Sequence, residues 1–381
     1  MNFENSKRKA ATAFDLPPIV TILVTQKIMS KLFEPLQLGA LRLPNRVIMS
    51  PLTRARAHDR RIPNQLMRDY YVQRASAGLI FSEATSISLL GVGYANTPGI
   101  WSPAQVEGWK MIVDAVHDAG GRIVSQLWHV GRISHSSFLD GQMPVAPSAL
   151  AAKGHVSLIR PQVQYEVPRA LTLEEIQATV EDYRRGARNA KAAGFDGVEI
   201  HAANGYLLDQ FLRDGSNIRS DQYGGSIENR ARLLLEVVAA VVEIWGKERV
   251  GVHLSPRNEE NHSLQDSDPA AVFTHVAQEL GERGIAYLFV RESQQEPRVV
   301  PAMKRAFGGP LIANQQMTKA LSEQLLQNGE ADAIAWGQQF IANPDLPRRL
   351  QLDAPLNTPD NTTFYADGPR GYTDYPFLNE K

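Results

Sequence analysis

A histidine, an asparagine and a tyrosine stand close together in the segment HAANGYLLDQFL, residues 201–212. If the chain turns into a helix here, His201 and Asn204 can point into one cavity and present two neutral hydrogen-bond donors. Two such donors can hold a carbonyl or phenolate oxygen and stabilise negative charge that develops on it. Tyr206 suits proton transfer to carbon, because a phenol with a pKa of about 10 stays protonated near neutral pH. A structural turn with a capping asparagine is the alternative interpretation.

Polar or small residues also follow short apolar runs elsewhere in the chain. They are Thr53, Glu83 with Ala84, Gln126 to His129, His253, Gln315 with Gln316, and Gln338 with Gln339. A single polar residue in such a place is usually a satisfied core group. Because these sets recur at equivalent positions, they indicate a functional site. No carboxylate or second histidine is placed to complete a metal ligand set with His201, so we expect no metal there.

The apolar runs alternate with helical patterns, and together they position these residues. Eight runs are candidate strands, at residues 46–53, 78–84, 122–129, 197–203, 250–256, 285–291, 310–316 and 332–337. Strands buried on both faces read as continuous apolar runs, as these do. Eight strand–helix units predict a single-domain α/β fold, a closed (β/α)8 TIM barrel, with its chemistry at the C-terminal ends of the strands. A doubly wound open sheet is the alternative, but no GxGxxG turn follows an early strand.

The start and end of two helices can be read from the sequence. Ser102 precedes one helical pattern as a plausible N-cap, and Thr172 is followed three residues later by Glu175, the spacing of a capping box. Both patterns end at a glycine, Gly120 and Gly194, as helices often do.

The overall composition excludes several classes of function. The chain has 381 residues, 21% of them charged and 43% hydrophobic, with a net charge of −1. This balance gives no electrostatic footprint for nucleic acid or a membrane surface, so we expect a small-molecule substrate. Without cysteine the chain has no disulfides, thiolate metal sites or cysteine nucleophile. These features fit a cytoplasmic protein.

The first thirty residues differ from the rest. They have a basic start and one apolar patch, PPIVTILV at residues 17–24, which is too short to span a bilayer of roughly 30 Å. We predict that residues 1–30 are an N-terminal extension without fixed structure and that residues 31–381 are the barrel. A signal peptide, or a natural start at Met29, are the alternatives.

Several longer segments resemble the Old Yellow Enzyme family, in its N-ethylmaleimide reductase-like branch. They are LFEPLQLGALRLPNRVIMSPLTRARA, YYVQRASAGLIFSEAT, QLWHVGRISH, EIHAANGYLLDQFLRDGSNIRSDQYGGSIENRAR, FIANPDL and GYTDYP. The resemblance covers about residues 31–377 in the family's order. It implies a TIM barrel that binds FMN at its mouth, takes hydride from NAD(P)H and delivers it to the β-carbon of an activated alkene.

The resemblance also implies a role for each matching residue. Four positions correspond to contacts with the flavin: Pro51, Thr53, Ala84 and Gln126. Thr53 would bond to the C4 carbonyl of the ring. Three correspond to catalytic residues, with His201 and Asn204 holding the substrate's carbonyl oxygen and Tyr206 donating the proton. Trp128 and Tyr365 would line the substrate pocket.

Four positions that the family uses to hold FMN carry other residues here. His253 stands where the family has an arginine beside the flavin N1 and C2 carbonyl. Gln315 and Gln316 replace a Gly-Gly pair that receives the phosphate, and Gln338 replaces an arginine that clamps it. Glutamine obstructs the close approach and positive φ that glycine allows, and each lost charged contact could remove about 1.5–3 kcal/mol.

These departures leave two hypotheses for an enzyme. In the first, the chain is an FMN-dependent ene-reductase, and Arg257, Arg291 or Lys304 compensates for the lost contacts. In the second, the chain has lost FMN and uses His201, Asn204 and Tyr206 for isomerase, cyclase or lyase chemistry, which needs oxyanion stabilisation and proton transfer but no hydride. The glutamine amides would then fill the phosphate slot and bond to each other or to the substrate. A non-catalytic small-molecule binder is a third interpretation.

Overall fold

The structure is a computed structural model that describes residues 30–157, 159–257 and 264–378. The chain separates into Met1–Ser30 and Lys31–Lys381. Except for Ser30, the predicted N-terminal extension lies outside the described residues, so its predicted lack of structure stays a prediction.

Eight parallel strands form a closed barrel, and we number them β1 to β8. Their bounds are Val47–Met49, Leu79–Phe81, Ile123–Trp128, Gly197–Ala202, Val250–Leu254, Tyr287–Arg291, Leu311–Asn314 and Ala333–Trp336. Each strand pairs with the next in the sequence, and β8 pairs back with β1, which closes the sheet. The predicted TIM barrel is therefore confirmed, every predicted strand is present, and the open-sheet alternative is wrong.

Helices surround the barrel. We number those of the described residues α1 to α10, with the bounds Gln65–Val72, Pro103–Asp118, Leu173–Ala192, Leu207–Leu212, Ile227–Trp245, Pro269–Arg283, Val300–Phe307, Lys319–Gln327, Gln338–Ala342 and Leu346–Leu352. In the part of the chain that the structure describes, none of them combines the length and apolar composition needed to cross a bilayer.

The predicted caps hold the two long helices in place. Ser102 accepts a hydrogen bond from the N–H of Gln105 at the start of α2, and Thr172 forms a capping box with Glu175 at the start of α3. Such a cap contributes about 1 kcal/mol. Both helix ends lead into a glycine with positive φ, as predicted.

Alternation along the strands divides the apolar residues into two layers. In β1, Ile48 points into the barrel interior, whereas Val47 and Met49 belong to the layer between strands and helices. A hairpin of Leu36–Leu38 and Leu41–Leu43 contributes leucines to the interior cluster. Each fully buried leucine or phenylalanine contributes about 1.5–3 kcal/mol. This packing makes the strands a rigid base for the side chains at their C-terminal ends.

Candidate active site

The three predicted catalytic residues come together at the end of β4. His201 is in the strand, Asn204 is in the following turn with φ +56°, and Tyr206 is the residue before α4. The turn is fixed by two buried acceptors: Ser255 Oγ accepts from the N–H of Asn204 at 2.8 Å, and Asp209 Oδ2 accepts from the N–H of Gly205 at 2.9 Å. Asn204 does not cap a helix, so the capping interpretation is wrong.

His201 is neutral and presents a donor. Its Nδ1 accepts from the N–H of Ala203 at 3.3 Å, which leaves the proton on Nε2. Burial, and secondly the nearby charge of Arg291, lower the pKa of His201 to about 3. The imidazole can therefore donate a hydrogen bond through Nε2 without changing charge near neutral pH.

Arg291 fixes the orientation of the Asn204 amide. Arg291, the last residue of β6, donates from Nη1 to Asn204 Oδ1 at 3.2 Å. Because the amide oxygen faces the guanidinium, the Nδ2 end is turned away from it. Asn204 and His201 can then supply the two donors that the sequence predicted.

Tyr206 has a second phenol as its partner. The hydroxyl oxygens of Tyr206 and Tyr94 lie 2.9 Å apart, and either can donate. Burial raises the pKa of both residues, so both stay protonated near neutral pH. Tyr94 was not predicted from the sequence; the available signal was an aromatic residue in the glycine-rich loop GVGYANTPG after β2, where barrel enzymes place functional residues.

The predicted pocket residues lie around these two phenols. Trp128 is buried, and its ring stacks on Tyr94 at 5.5 Å and meets the edge of Tyr206 at 5.0 Å. Tyr365 is half-exposed and is close enough to help raise the pKa of Tyr94 and Tyr206. The structure thus brings Trp128 and Tyr365 close to the proposed proton donor.

Two buried arginines hold the C-terminal segment that carries Tyr365. Arg54 donates to the carbonyls of Phe364 and Gly371, and Arg56 donates to the carbonyls of Phe364 and Thr363. Charge-assisted bonds of this kind are stronger than neutral ones. They fix the segment against the loop that follows β1.

A buried polar network lies beside His201. Gln126 Nε2 donates to Glu199 Oε2 at 2.6 Å and to His253 Nδ1 at 3.1 Å, and the His253 ring stacks on His201 at 5.0 Å. Burial raises the pKa of Glu199 to about 8 and lowers that of His253 well below its ordinary value, so both are neutral at pH 7. Because Nδ1 of His253 accepts, Nε2 carries the proton, and this buried N–H has no partner among the described residues.

The other predicted flavin contacts stand at the ends of β1 and β2. Pro51 and Thr53 are half-buried in the segment after β1. Ala84 is buried after β2 and packs in one cluster with Trp128. These residues follow the C-terminal ends of their strands, and their contact with a flavin stays a prediction.

The turn after β7 corrects one expectation. We expected the glutamines to obstruct the backbone conformation of a Gly-Gly pair, but Gln315 has φ +104° and Gln316 has φ +52°. The backbone therefore keeps the left-handed form, at a cost of about 1–3 kcal/mol for each residue. Neither N–H of this pair has an acceptor among the described residues.

Of the three arginine and lysine residues considered as compensation, Arg291 reaches this turn. Its Nε donates to Gln315 Oε1 at 2.8 Å. Arg257 lines the same cavity but donates to the carbonyl of Gln295. Lys304 is excluded, because it pairs with Asp332, which precedes β8 at the opposite end of the barrel. Gln338 is exposed at the start of α9 and has no hydrogen-bond partner among the described residues.

The residues present fit a flavin mononucleotide. The unpartnered Nε2–H of His253 suits a carbonyl or ring nitrogen, and the unpartnered N–H groups of Gln315 and Gln316 suit a phosphate. The differences from the family's pattern are a neutral donor at residue 253, an uncharged residue at position 338, and a guanidinium that contacts the turn from residue 291. The site thus keeps hydrogen-bond donors for the ring and the phosphate, but it has less fixed positive charge than the family's pattern.

The barrel carries a neutral donor pair and a protonated phenol at its mouth, and the unpartnered donors of His253, Gln315 and Gln316 fit a flavin. Together these features point to a TIM-barrel oxidoreductase of the flavin-binding type. The family model for the NADH:flavin oxidoreductase / NADH oxidase family matches residues 31–357. The chain belongs to this family.

Individual relatives match over nearly the whole chain. The 12-oxophytodienoate reductase 1 of Oryza sativa subsp. japonica is 44% identical over 362 residues, covering 92% of this chain and 93% of the relative. A probable flavin mononucleotide-dependent alkene reductase of Leishmania infantum is 44% identical over 361 residues, covering 92% of this chain and 99% of the relative. The structure of morphinone reductase in complex with tetrahydroNAD matches with a TM-score of 0.88 and 53% identity, covering 91% of this chain and 98% of the morphinone reductase chain.

These comparisons confirm the predicted resemblance to the Old Yellow Enzyme family and the class of flavin-dependent oxidoreductase. None of the three relatives supports the flavin-independent alternative.

Proposed function

We infer that this chain reduces the activated C=C bond of α,β-unsaturated carbonyl compounds with FMN as cofactor and NAD(P)H as reductant. Family membership supports the cofactor and the reductant. The observation that carries the choice of substrate class is the pair of neutral donors, His201 and Asn204, beside the protonated Tyr206. That arrangement suits a carbonyl oxygen and an adjacent carbon that must be protonated.

Bound FMN supplies hydride transfer from NAD(P)H to the β-carbon of the alkene. The residues of the chain bind and orient the substrate. His201 Nε2 and Asn204 Nδ2 donate to the carbonyl oxygen, which draws electron density from the C=C bond and stabilises negative charge on that oxygen. Donors of this kind each contribute roughly 10²–10³ in rate.

Tyr206 completes the addition by giving its hydroxyl proton to the α-carbon. The C=C bond becomes a single bond, and NAD(P)H leaves as NAD(P)⁺. As the Tyr206 oxygen loses its proton, the Tyr94 hydroxyl at 2.9 Å can donate to it and stabilise the phenolate. Solvent then restores the proton to Tyr206.

The residues proposed to hold FMN divide into two groups. Thr53, Ala84, Gln126 and His253, together with Pro51, would contact the ring and the ribityl chain. Gln315, Gln316 and Gln338 would face the phosphate. Family resemblance, position at the strand ends and the unpartnered donors support these roles.

Isotope labelling tests the proposal. We expect purified protein with FMN to convert 2-cyclohexen-1-one to cyclohexanone, with deuterium from NAD(P)H labelled at C4 of the nicotinamide appearing at the β-carbon. In D₂O with unlabelled NAD(P)H, deuterium should appear at the α-carbon. Conversion without NAD(P)H, or product carrying no label from the reductant, would contradict the proposal. The cytoplasmic location stays a prediction from the sequence.

A further inference from the structure

Two consecutive glutamines adopt a backbone conformation that L side chains rarely take. Gln315 and Gln316 have φ +104° and +52°, and their N–H groups have no acceptor among the described residues. Successive N–H groups in such a turn form a concave site for an anion. A strained turn persists where the surrounding structure determines it, and such turns concentrate at ligand sites.

The side chain of Gln315 is drawn to one side of this turn. Its Oε1 accepts from Arg291 Nε at 2.8 Å. Arg291 ends β6, Gln315 follows β7, and the helix that begins at Gln338 follows β8. Because β7 lies between β6 and β8 in the barrel, the bond to Arg291 holds the amide towards β6 and away from β8.

The backbone of Arg291 lies level with the turn, two residues further along the barrel than the backbone of His253. In the pairing of β6 with β7, Arg291 stands opposite Asn314, the residue immediately before the turn. In the pairing of β5 with β6, His253 stands opposite Phe289, two residues earlier. The guanidinium extends from there to two groups: its Nε donates to Gln315 Oε1 in the turn at 2.8 Å, and its Nη1 donates to Asn204 Oδ1 after β4 at 3.2 Å.

A cavity of about 540 Å³ opens beside this turn, and the described residues of its wall include three arginines. Arg213 is bonded to Asp209 and to the carbonyl of Ser255. Arg257 donates to the carbonyl of Gln295. Of the three, Arg291 is the one that contacts Gln315.

The two carboxylates among the described residues of this wall are engaged by other groups. Glu292 accepts from the N–H groups of Val299 and Val300. Asp266 pairs with Arg230 and accepts from the N–H of Asp214. The described groups that face the turn thus combine N–H donors with one guanidinium, which is the chemistry of a phosphate site.

We propose that Arg291 is the positioning residue that gives this site its preference for a phosphorylated flavin. Arg291 holds the Gln315 side chain aside and supplies positive charge for the phosphate. The N–H groups of Gln315 and Gln316 bind the phosphate oxygens. This inference rests on the proposed function, because it takes FMN as the ligand. It assigns the charge of the phosphate site to β6, whereas the family's pattern places it at residue 338.

The test compares FMN with riboflavin, which has the same ring but no phosphate. Dissociation constants are measured by flavin fluorescence on the full chain for the wild type, Arg291→Met and Arg291→Lys. A lost charge-assisted contact corresponds to about 10–100-fold in affinity. We expect Arg291→Met to weaken FMN binding by about this factor and riboflavin binding by less than about threefold, with Arg291→Lys in between.

Arg257→Met is the matched control, since it removes a guanidinium from the same cavity wall without touching the turn. It should leave the ratio of FMN to riboflavin affinity unchanged. Inorganic phosphate should compete with FMN in the wild type and much less in Arg291→Met. Circular dichroism verifies that each variant is folded, so that lost binding is not lost structure.

The outcomes separate this inference from the proposed function. If the wild type binds FMN but Arg291→Met leaves the ratio of affinities unchanged, or weakens both flavins equally, the role assigned to Arg291 is wrong and the enzyme assignment stands. If the wild type binds neither flavin, both are wrong.

Discussion

Replacing Glu199 by Gln should change how the stability of the protein depends on pH. The carboxyl is buried in the barrel, and its Oε2 accepts from Gln126 at 2.6 Å. Glutamine has nearly the same shape, and its oxygen can accept the same bond. The substitution therefore removes one titratable group and leaves the packing and the hydrogen bond from Gln126 nearly unchanged.

The size and sign of the effect follow from the pKa of Glu199. Burial raises this pKa to about 8 from its ordinary value of 4.5. Below pH 4.5 the group is protonated in both the folded and the unfolded protein. Between pH 4.5 and pH 8 the unfolded chain releases the proton and the folded protein keeps it, so the wild type loses about 1.4 kcal/mol of stability per pH unit. The Gln variant has no such loss at this position.

Differential scanning fluorimetry of both proteins from pH 5.5 to pH 9 measures the difference. Over the roughly 2.5 units between pH 5.5 and pH 8, the wild type should lose about 3 kcal/mol relative to Glu199→Gln. For a barrel of this size that equals about 4–5 °C in Tm. Other groups titrate equally in both proteins and cancel in the difference.

Glu83→Gln is the matched comparison. Burial raises the pKa of Glu83 to about 7. The Tm difference between Glu83→Gln and the wild type should therefore grow with pH in the same direction, but it should stop growing near pH 7. If the Tm difference between Glu199→Gln and wild type stays constant from pH 5.5 to pH 8, or has the opposite sign, Glu199 is not a neutral carboxyl and our description of the buried network is wrong.

Three further predictions concern the mouth of the barrel. Tyr206→Phe should lower the rate of enone reduction by about 10²–10⁴ and leave flavin reduction by NAD(P)H unchanged in stopped-flow measurements; slower flavin reduction would contradict its role as proton donor. Tyr94→Phe should lower the same rate by only about 2–10-fold, the value of one neutral hydrogen bond, and a larger loss would give Tyr94 the main role. The triple change Gln315→Gly, Gln316→Gly and Gln338→Arg should tighten FMN binding by at least about tenfold in fluorescence titration, and an unchanged affinity would refute our interpretation of these departures.

The fold could be predicted because its signals are local. Each of the eight strands is a short apolar run with its own helical partner, and the caps at Ser102 and Thr172 depend on residues three positions apart. The grouping of His201, Asn204 and Tyr206 was also predictable, because one turn of chain holds all three.

Contacts between distant parts of the chain could not be predicted in this way. The Tyr94–Tyr206 hydrogen bond joins residues 112 apart, and the Arg291–Asn204 bond joins residues 87 apart. The intrinsic preference of glutamine argued against positive φ at Gln315, but the closed barrel determines the path of that turn more strongly than the side chain does. At Gln315 the preference of the residue type therefore predicted the wrong backbone conformation.

The most direct test of the central assignment is the visible spectrum of the purified protein through one anaerobic cycle. We expect a yellow protein, as purified or after addition of FMN, whose flavin band is bleached by NAD(P)H and restored by one equivalent of 2-cyclohexen-1-one. A protein that stays colourless with FMN present, or a bleached protein that the enone does not reoxidise, would contradict the account.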